Sequence, residues 1–153
     1  MRWIIIFLGL GALLAAVGYV WVSQMPLNDA KYDVDPTEIE RTGRPNDYLV
    51  APEGMTNATP DRASKIFAEA PEDLLARFVE IARAQPRVRP IGGTPLFQTF
   101  EQRTQLVGFR DYISVKAVQA VGGSALIVYS RSTVGYSDWG VNKARVEDWL
   151  SKL

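Results

Sequence analysis

Residues 111–132 read DYISVKAVQAVGGSALIVYSRS, and this stretch predicts a β-hairpin. Two runs rich in β-branched and aromatic residues flank the paired glycines at 122–123. Such a pair is typical of a two-residue hairpin turn, in which the backbone needs positive φ angles. If the two glycines form the whole loop, the register of the hairpin follows from it, and Val115 faces Ser130 across the two strands.

This register divides the hairpin into two faces, because successive side chains of a strand point to opposite sides. The face that we expect to contact the core is mainly apolar and contains Ile113, Val115, Ala117, Leu126, Val128, Ser130 and Ser132. If the two serines are buried, they must form hydrogen bonds, most simply with the backbone of the following turn. Slippage by one residue would exchange the two faces.

The opposite face of the hairpin is polar and aromatic. We interpret its larger polar side chains as a surface that binds a ligand or a partner protein, and the alternative is an ordinary solvated sheet face. These candidate binding residues are Tyr112, Lys116, Tyr129 and Arg131.

Residues 134–142, VGYSDWGVN, lead from the hairpin into an amphipathic helix at 142–153. Ser137, Asp138 or Asn142 is expected to cap this helix, and Asp138 or Asn142 would do so by accepting hydrogen bonds from its free backbone N–H groups. A glycine-bearing loop before a helix N-terminus is also suited to holding a small anion. The candidate residues for such a ligand are Ser137, Asn142 and Arg145.

The remaining sequence predicts one further helix, at residues 71–85. Pro71 suits the first helical position, and Pro86 ends the helix. Short strands are predicted at 47–52, 87–91 and 96–104. The expected fold is therefore α+β, an antiparallel sheet of about four to five strands with the two amphipathic helices on one face.

Residues 3–22 are uncharged and almost wholly apolar. As a helix they would span roughly 30 Å, the thickness of a bilayer core, and this predicts one N-terminal transmembrane helix. Arg2 precedes the segment and acidic residues follow it, which predicts a single-pass protein of the bacterial inner membrane with a cytoplasmic N-terminus and a periplasmic domain. A cleaved signal peptide is the alternative, with small residues at 16–18 as the cleavage site.

Three segments follow from this interpretation. Residues 1–22 are the membrane anchor. Residues 23–45 contain three prolines, many charges and few large apolar groups, which predicts a tether that runs over the surface. Residues 46–153 then form a single α+β domain.

The composition excludes several classes of function. The chain has no His and no Cys, which removes thiolate and imidazole metal sites, disulfides and every mechanism with a histidine base. We therefore expect neither a metal nor a cofactor. Lys plus Arg and Asp plus Glu both count 17, a balance that argues against nucleic acid as a partner.

Three motifs carry a resemblance to a known family. They are PNDYLVAP at 45–52, VGFRDYISV at 107–115 and YSRSTVGYSDWGVNKARVE at 129–147. They resemble the bacterial and plastid domain-of-unknown-function family 1499 over about residues 45–153. The resemblance implies a membrane-associated or exported domain of unknown activity, and it implies no catalytic residues.

Three functions remain open. The first is a membrane-anchored binding or accessory domain that recognises an envelope protein or a small anionic ligand. The second is a hydrolase or transferase that uses Asp111 and Asp138 as a carboxylate pair, because acid and base catalysis needs two carboxylates in one cleft. The absence of His and Cys argues against catalysis. The third is a structural or assembly subunit that acts through its transmembrane helix.

Overall fold

The computed structural model of the chain describes residues 2–24 and 28–153. Within these residues it contains four helices, which are α1 (Arg2–Gln24), α2 (Asp29–Tyr32), α3 (Pro71–Arg83) and α4 (Val141–Leu150). The strands in the same residues are β1 (Asp47–Ala51), β2 (Arg62–Ala63), β3 (Ile66–Phe67), β4 (Val88–Thr94), β5 (Phe97–Arg103), β6 (Arg110–Ala120) and β7 (Gly123–Ser132). The α+β class predicted from the sequence is thereby confirmed.

The strands form one sheet in the order β2-β1-β7-β6-β5-β4, and β3 pairs with the far end of β7. β1 and β2 run parallel, whereas the other pairs are antiparallel. The prediction of an antiparallel sheet of four to five strands is therefore wrong, since the sheet has seven strands and is mixed. The additional strands β2 and β3 are two residues long, too short to show an alternating pattern.

The register of the central hairpin differs from the predicted register by two residues. Ala120 pairs with Gly123, so the loop is residues 121–122. Val115 consequently pairs with Val128 rather than with Ser130. Because side chains alternate with a period of two, this shift leaves every side chain on its predicted face.

The main core lies between the sheet and the helices α3 and α4, which pack on the same face. The rings of Phe78 in α3 and Trp149 in α4 are tilted against each other, with centroids 5.9 Å apart. The hairpin side chains predicted to face the core do so, and five of them join this cluster: Ile113, Val115, Ala117, Leu126 and Val128.

The other face of the sheet is also covered. A smaller apolar cluster there contains Ile39, Leu49, Ala51, Ile127 and Tyr129. Ile39 belongs to residues 28–46, which lead into β1 and contact this face of the sheet through several side chains. The polar hairpin face that the sequence predicts as a binding surface therefore lies beneath a segment of the same chain.

α1 occupies the segment for which the sequence predicts a transmembrane helix. A span requires a continuous apolar helix of about 20 residues. Among the residues that the structure describes, no helix combines the length and the apolar character needed to cross a membrane. The transmembrane helix predicted at 3–22 is therefore wrong as a feature of this fold.

Candidate ligand-binding site

A row of charged and aromatic residues crosses the sheet on the face opposite the helices. Strand pairing joins Arg89 to Glu101, Glu101 to Tyr112, and Tyr112 to Arg131. Arg131 in turn pairs with Asp47. Since directly paired residues of neighbouring strands point to the same face, the five side chains form one continuous polar band.

Residues 28–35, which we call the acidic strap, lie over this band. The ring of Tyr32 stacks on the ring of Tyr112, with centroids 4.3 Å apart and an interplanar angle of 1°. Arg131 donates a hydrogen bond from Nη2 to the carbonyl oxygen of Tyr32. Burial under the strap raises the pKa of Tyr112 to about 12, and the nearby Glu101 and Asp29 carboxylates add to the shift.

Arg131 differs from the other arginines in its surroundings. Every other arginine that is partly or fully buried in the described residues forms an ion pair with a carboxylate: Arg41, Arg62, Arg103, Arg110 and Arg145. Arg131 donates instead to the neutral oxygens of Ser114 and Tyr32, and it lies over the ring of Tyr129. Burial lowers its pKa to about 10 by removing the charged form from water, and the charges of nearby groups, Asp33 among them, offset only part of this effect.

A cleft of about 370 Å³ opens beside Arg131. Its walls come from the end of β7, from the loop before β1 and from the strap, and its cations besides Arg131 are Lys31 and Arg44. One acidic residue of the cleft wall, Asp47, is the strand partner of Arg131. Its carboxylate already accepts hydrogen bonds from Arg41 at 2.6 Å and from the Tyr129 hydroxyl at 3.0 Å. Among the cleft cations in the described residues, Arg131 is thus the one that is partly buried without an ion pair, whereas Lys31 and Arg44 are exposed.

The four predicted binding residues of the hairpin lie on one face, but only two of them, Tyr129 and Arg131, line the cleft. Tyr112 is buried and donates from its hydroxyl to Asp29 at 3.2 Å. Lys116 donates to Asp35 at 2.5 Å. These two side chains therefore hold the strap in place, and the strap supplies cleft residues that the sequence pattern did not identify.

The predicted ligand residues near α4 belong to a different, buried network. Asn142 accepts from the hydroxyl of Ser130 at 2.6 Å and donates to the hydroxyl of Ser132 at 3.0 Å. Arg145 donates to Ser130 at 3.0 Å and to Asp111 at 2.5 Å. The two serines thus bond to side chains of α4 and not to the turn backbone. The network fastens α4 to the sheet.

The two carboxylates considered for catalysis also have partners within the fold. Asp111 pairs with Ser132 across the strands, and its side chain contacts Arg145. Asp138 accepts hydrogen bonds from the backbone N–H groups of Gly140 at 2.9 Å and Asn142 at 2.8 Å, while the N-cap position of α4 is occupied by Gly140 rather than by one of the predicted residues. Ser137 accepts in the same way from the N–H of Trp139.

Acidic side chains do not converge on a metal site in the described part of the chain: residues 2–24 and 28–153 contain no group of three or more that could hold a metal ion. The charged residues that line the cleft have both signs: Lys31, Arg44 and Arg131 are cations, and Glu38, Glu40 and Asp47 are acids.

The fold and the cleft together define a small α+β domain with one mixed sheet, two helices on one face and a polar cleft on the other. The family model for "Protein of unknown function (DUF1499)" matches residues 22–153, and the chain belongs to this family. The resemblance seen in the sequence is confirmed. No curated protein matches the chain. The predicted location in the cell envelope is not tested by these findings and stays a prediction.

Proposed function

We propose that the domain binds a small anionic ligand, a carboxylate or a phosphate ester, in the cleft beside Arg131. The observation that carries the proposal is the partly buried guanidinium of Arg131, which forms no hydrogen bond or ion pair with a carboxylate among the described residues and is compensated only in part by the charge of Asp33. An unpaired buried charge costs stability, so a domain that keeps one at a cleft gains from an anion that enters it.

Several N–H donors of the Arg131 guanidinium form no hydrogen bond within the described residues. Arginine carries five N–H donors in a planar fork, and Arg131 uses one on the hydroxyl of Ser114 and one on the carbonyl of Tyr32. A carboxylate or phosphate accepts two parallel hydrogen bonds from such a fork. The ring of Tyr129 lies under the guanidinium, at 4.9 Å from its carbon, and fixes its plane.

The dimensions and charges of the cleft narrow the ligand class. About 370 Å³ is within the range of small-molecule sites and is larger than a single phosphate or carboxylate needs. Glu38 and Glu40 also line the cleft and disfavour a highly charged ligand. We therefore expect one anionic group on a larger neutral body, with the aromatic side chains of Tyr32 and Tyr129 beside that body.

The test is a titration of the full chain with benzoate and, separately, with inorganic phosphate, followed by the NMR signals of the arginine side-chain N–H groups. The unaltered chain should show saturable shifts at Arg131. Arg131→Gln should weaken binding at least tenfold, whereas Arg131→Lys should retain part of it, because a lysine keeps the charge without the fork.

The matched control is Arg83→Gln, which removes an exposed arginine on α3, away from the cleft. It should bind like the unaltered chain. Absence of saturable binding by the unaltered chain, or equal binding by Arg131→Gln in a folded protein, would overturn the proposal. Catalysis by Asp111 and Asp138 lacks comparable support, because both carboxylates are engaged in contacts that stabilise the fold.

A further inference from the structure

Three arginine side chains gather around one buried carboxylate at the end of the sheet where β4 and β6 begin and β5 ends. The carboxylate belongs to Glu101, whose side chain is 1% exposed. It accepts hydrogen bonds from Arg89 at 2.7 Å and from Arg103 at 2.9 Å. The third guanidinium belongs to Arg110, and its Nε is 3.8 Å from Oε2 of Glu101. We call Arg89, Arg103 and Arg110 the arginine cluster.

Like charges adjoin one another in the arginine cluster. Arg103 and Arg110 lie directly opposite each other on the paired strands β5 and β6. Like charges in this arrangement destabilise a sheet. Glu101 lies within hydrogen-bond distance of Arg89 and Arg103 but not of Arg110. Arg110 is therefore the least compensated charge of the three, and an anion beside it would relieve its repulsion with Arg103.

Two arginines of the cluster have N–H donors that form no hydrogen bond within the described residues. The Nε of Arg110 is buried without a partner, and the whole side chain is 11% exposed. A buried donor that lacks a partner costs free energy, and the cost is larger for a charged group. Arg89 forms its hydrogen bonds to Asp29 and Glu101 through Nη2, which leaves its Nε and Nη1 for another acceptor.

The arginine cluster is open to solvent along its outer edge. The side chains of Arg89 and Arg103 are 45% and 40% exposed. The strap covers a neighbouring part of the same face, where it contacts Tyr112 and Lys116 further along β6. Arg87 adds a fourth guanidinium at this edge, since its Nε donates to the carbonyl oxygen of Arg103 at 3.0 Å. Its φ of +59° is costly for a residue other than glycine, and strain of this kind is characteristic of binding sites.

We propose that the arginine cluster binds a phosphate group, for which Arg110 and Arg89 are the principal donors, while Glu101 holds the guanidiniums in place. A phosphate group fits better than a carboxylate, because its oxygens diverge and can accept from arginines that come from three strands. Its charge of up to −2 near neutral pH also suits adjoining cations. None of the three arginines lines the cleft beside Arg131. The proposal is therefore independent of anion binding in the cleft, and either can fail without the other.

The test is a titration of the full chain with inorganic phosphate, with the ionic strength held constant by sodium chloride and the arginine side-chain N–H groups followed by NMR. The signals of Arg89 and Arg110 should shift saturably. Arg110→Gln and Arg89→Gln should each weaken this binding at least tenfold, whereas Arg110→Lys should retain part of it. Arg131→Gln should leave the shifts at the cluster unchanged, which separates this site from the cleft. Arg83→Gln on α3 is the matched control and should bind like the unaltered chain.

A second experiment identifies the source of the phosphate group. It compares sedimentation of the chain with vesicles of phosphatidylcholine and with vesicles that also contain phosphatidate. Additional binding to phosphatidate that Arg110→Gln loses would assign a lipid headgroup, whereas binding of inorganic phosphate without it would assign a soluble phosphate compound.

Two results would overturn the proposal. One is the absence of saturable phosphate shifts at Arg89 and Arg110 in the unaltered chain. The other is equal phosphate affinity in the unaltered chain and in Arg110→Gln. Circular dichroism confirms that the variant is folded, as we expect, because the substitution leaves the hydrogen bonds of Glu101 with Arg89 and Arg103 in place.

Discussion

Arg145 and Asp111 form a buried ion pair that joins α4 to β6, with Nη2 of the guanidinium 2.5 Å from Oδ2 of the carboxylate. Their side chains are 7% and 3% exposed. The same guanidinium donates to Ser130, Asn142 and Gln102, so that α4 is tied to three neighbouring strands. A buried ion pair stabilises a fold only while both partners are present and hydrogen-bonded.

Removal of one partner of this ion pair should therefore strongly destabilise the fold. We expect Arg145→Met to lower the free energy of unfolding by about 3–5 kcal/mol, because Asp111 is left charged and buried without a cation. Denaturation in urea measures the change. The double variant Arg145→Met with Asp111→Leu should recover a large part of the loss. A single-variant loss below about 1 kcal/mol would contradict the structural role of the pair.

Replacement of Arg131 by methionine should change the free energy of unfolding much less than Arg145→Met does. Arg131→Met breaks no ion pair, although it ends the charge interaction with Asp33, and it removes a charge whose burial is already unfavourable, as its lowered pKa indicates. It loses the hydrogen bonds to Ser114 and Tyr32. We expect the free energy of unfolding to rise, or to fall by no more than about 1 kcal/mol. A loss as large as that of Arg145→Met would show that Arg131 is retained for stability and not for a ligand.

The faces of the hairpin could be predicted from the sequence although its register could not. The paired glycines indicate a tight turn, but they do not fix which two residues form the loop. The structure places the loop at 121–122, and Gly123 begins β7. At Gly123 a Cβ would lie 2.0 Å from the carbonyl oxygen of Phe67, so this glycine permits the close approach of β3. That contact is between residues far apart in the sequence and leaves no local signal.

The cleft could be predicted only in part. Tyr129 and Arg131 were found because hairpin alternation assigns them to the polar face. The strap residues Lys31 and Tyr32 were not, because the strap docks through ion pairs and one ring stack, and these have no periodic pattern. The sequence feature that could have indicated the docking of the strap is Tyr32, which lies midway between Asp29 and Asp35. This pattern indicates docking only once the partner cations Arg89 and Lys116 are known to lie side by side on the sheet, and the fold alone brings them together.

Acid should destabilise the domain through Glu101. Burial opposes ionisation of this carboxyl, but hydrogen bonds from Arg89 and Arg103 outweigh burial and lower its pKa below the ordinary value of 4.5. Because the pKa is lower in the folded state than in the unfolded state, the stabilisation is present above pH 4.5 and is lost as the pH falls through the folded value.

We therefore expect the melting temperature to fall below about pH 4.5, and to fall less steeply in Glu101→Gln. The control is Asp35→Asn. Hydrogen bonds from Lys116 and Thr37 lower the pKa of Asp35 as well, against the effect of burial, but this carboxylate is 37% exposed. Its substitution should change the acid slope less than Glu101→Gln does. Equal slopes in Glu101→Gln and the unaltered chain would contradict the role of Glu101.

Trp139 should limit the stability of the domain. Its φ is +57°, in the left-handed region, and its side chain is 94% exposed, so the ring has little packing to offset the backbone cost. A residue other than glycine in this region costs about 1–2 kcal/mol, and asparagine tolerates it better. Trp139→Asn should therefore raise the free energy of unfolding by about 1 kcal/mol in urea denaturation.

Tyr136→Asn is the matched control for this substitution. Tyr136 is in the same loop and 72% exposed, but its φ is not positive, so its change should be within about 0.5 kcal/mol. Destabilisation by Trp139→Asn would show instead that the ring contributes packing. Stabilisation would show that the tryptophan at this position lowers the free energy of unfolding of the unaltered domain. Local backbone strain of this kind is characteristic of functional loops, so the ring would then be the first place to look for a contact with another molecule.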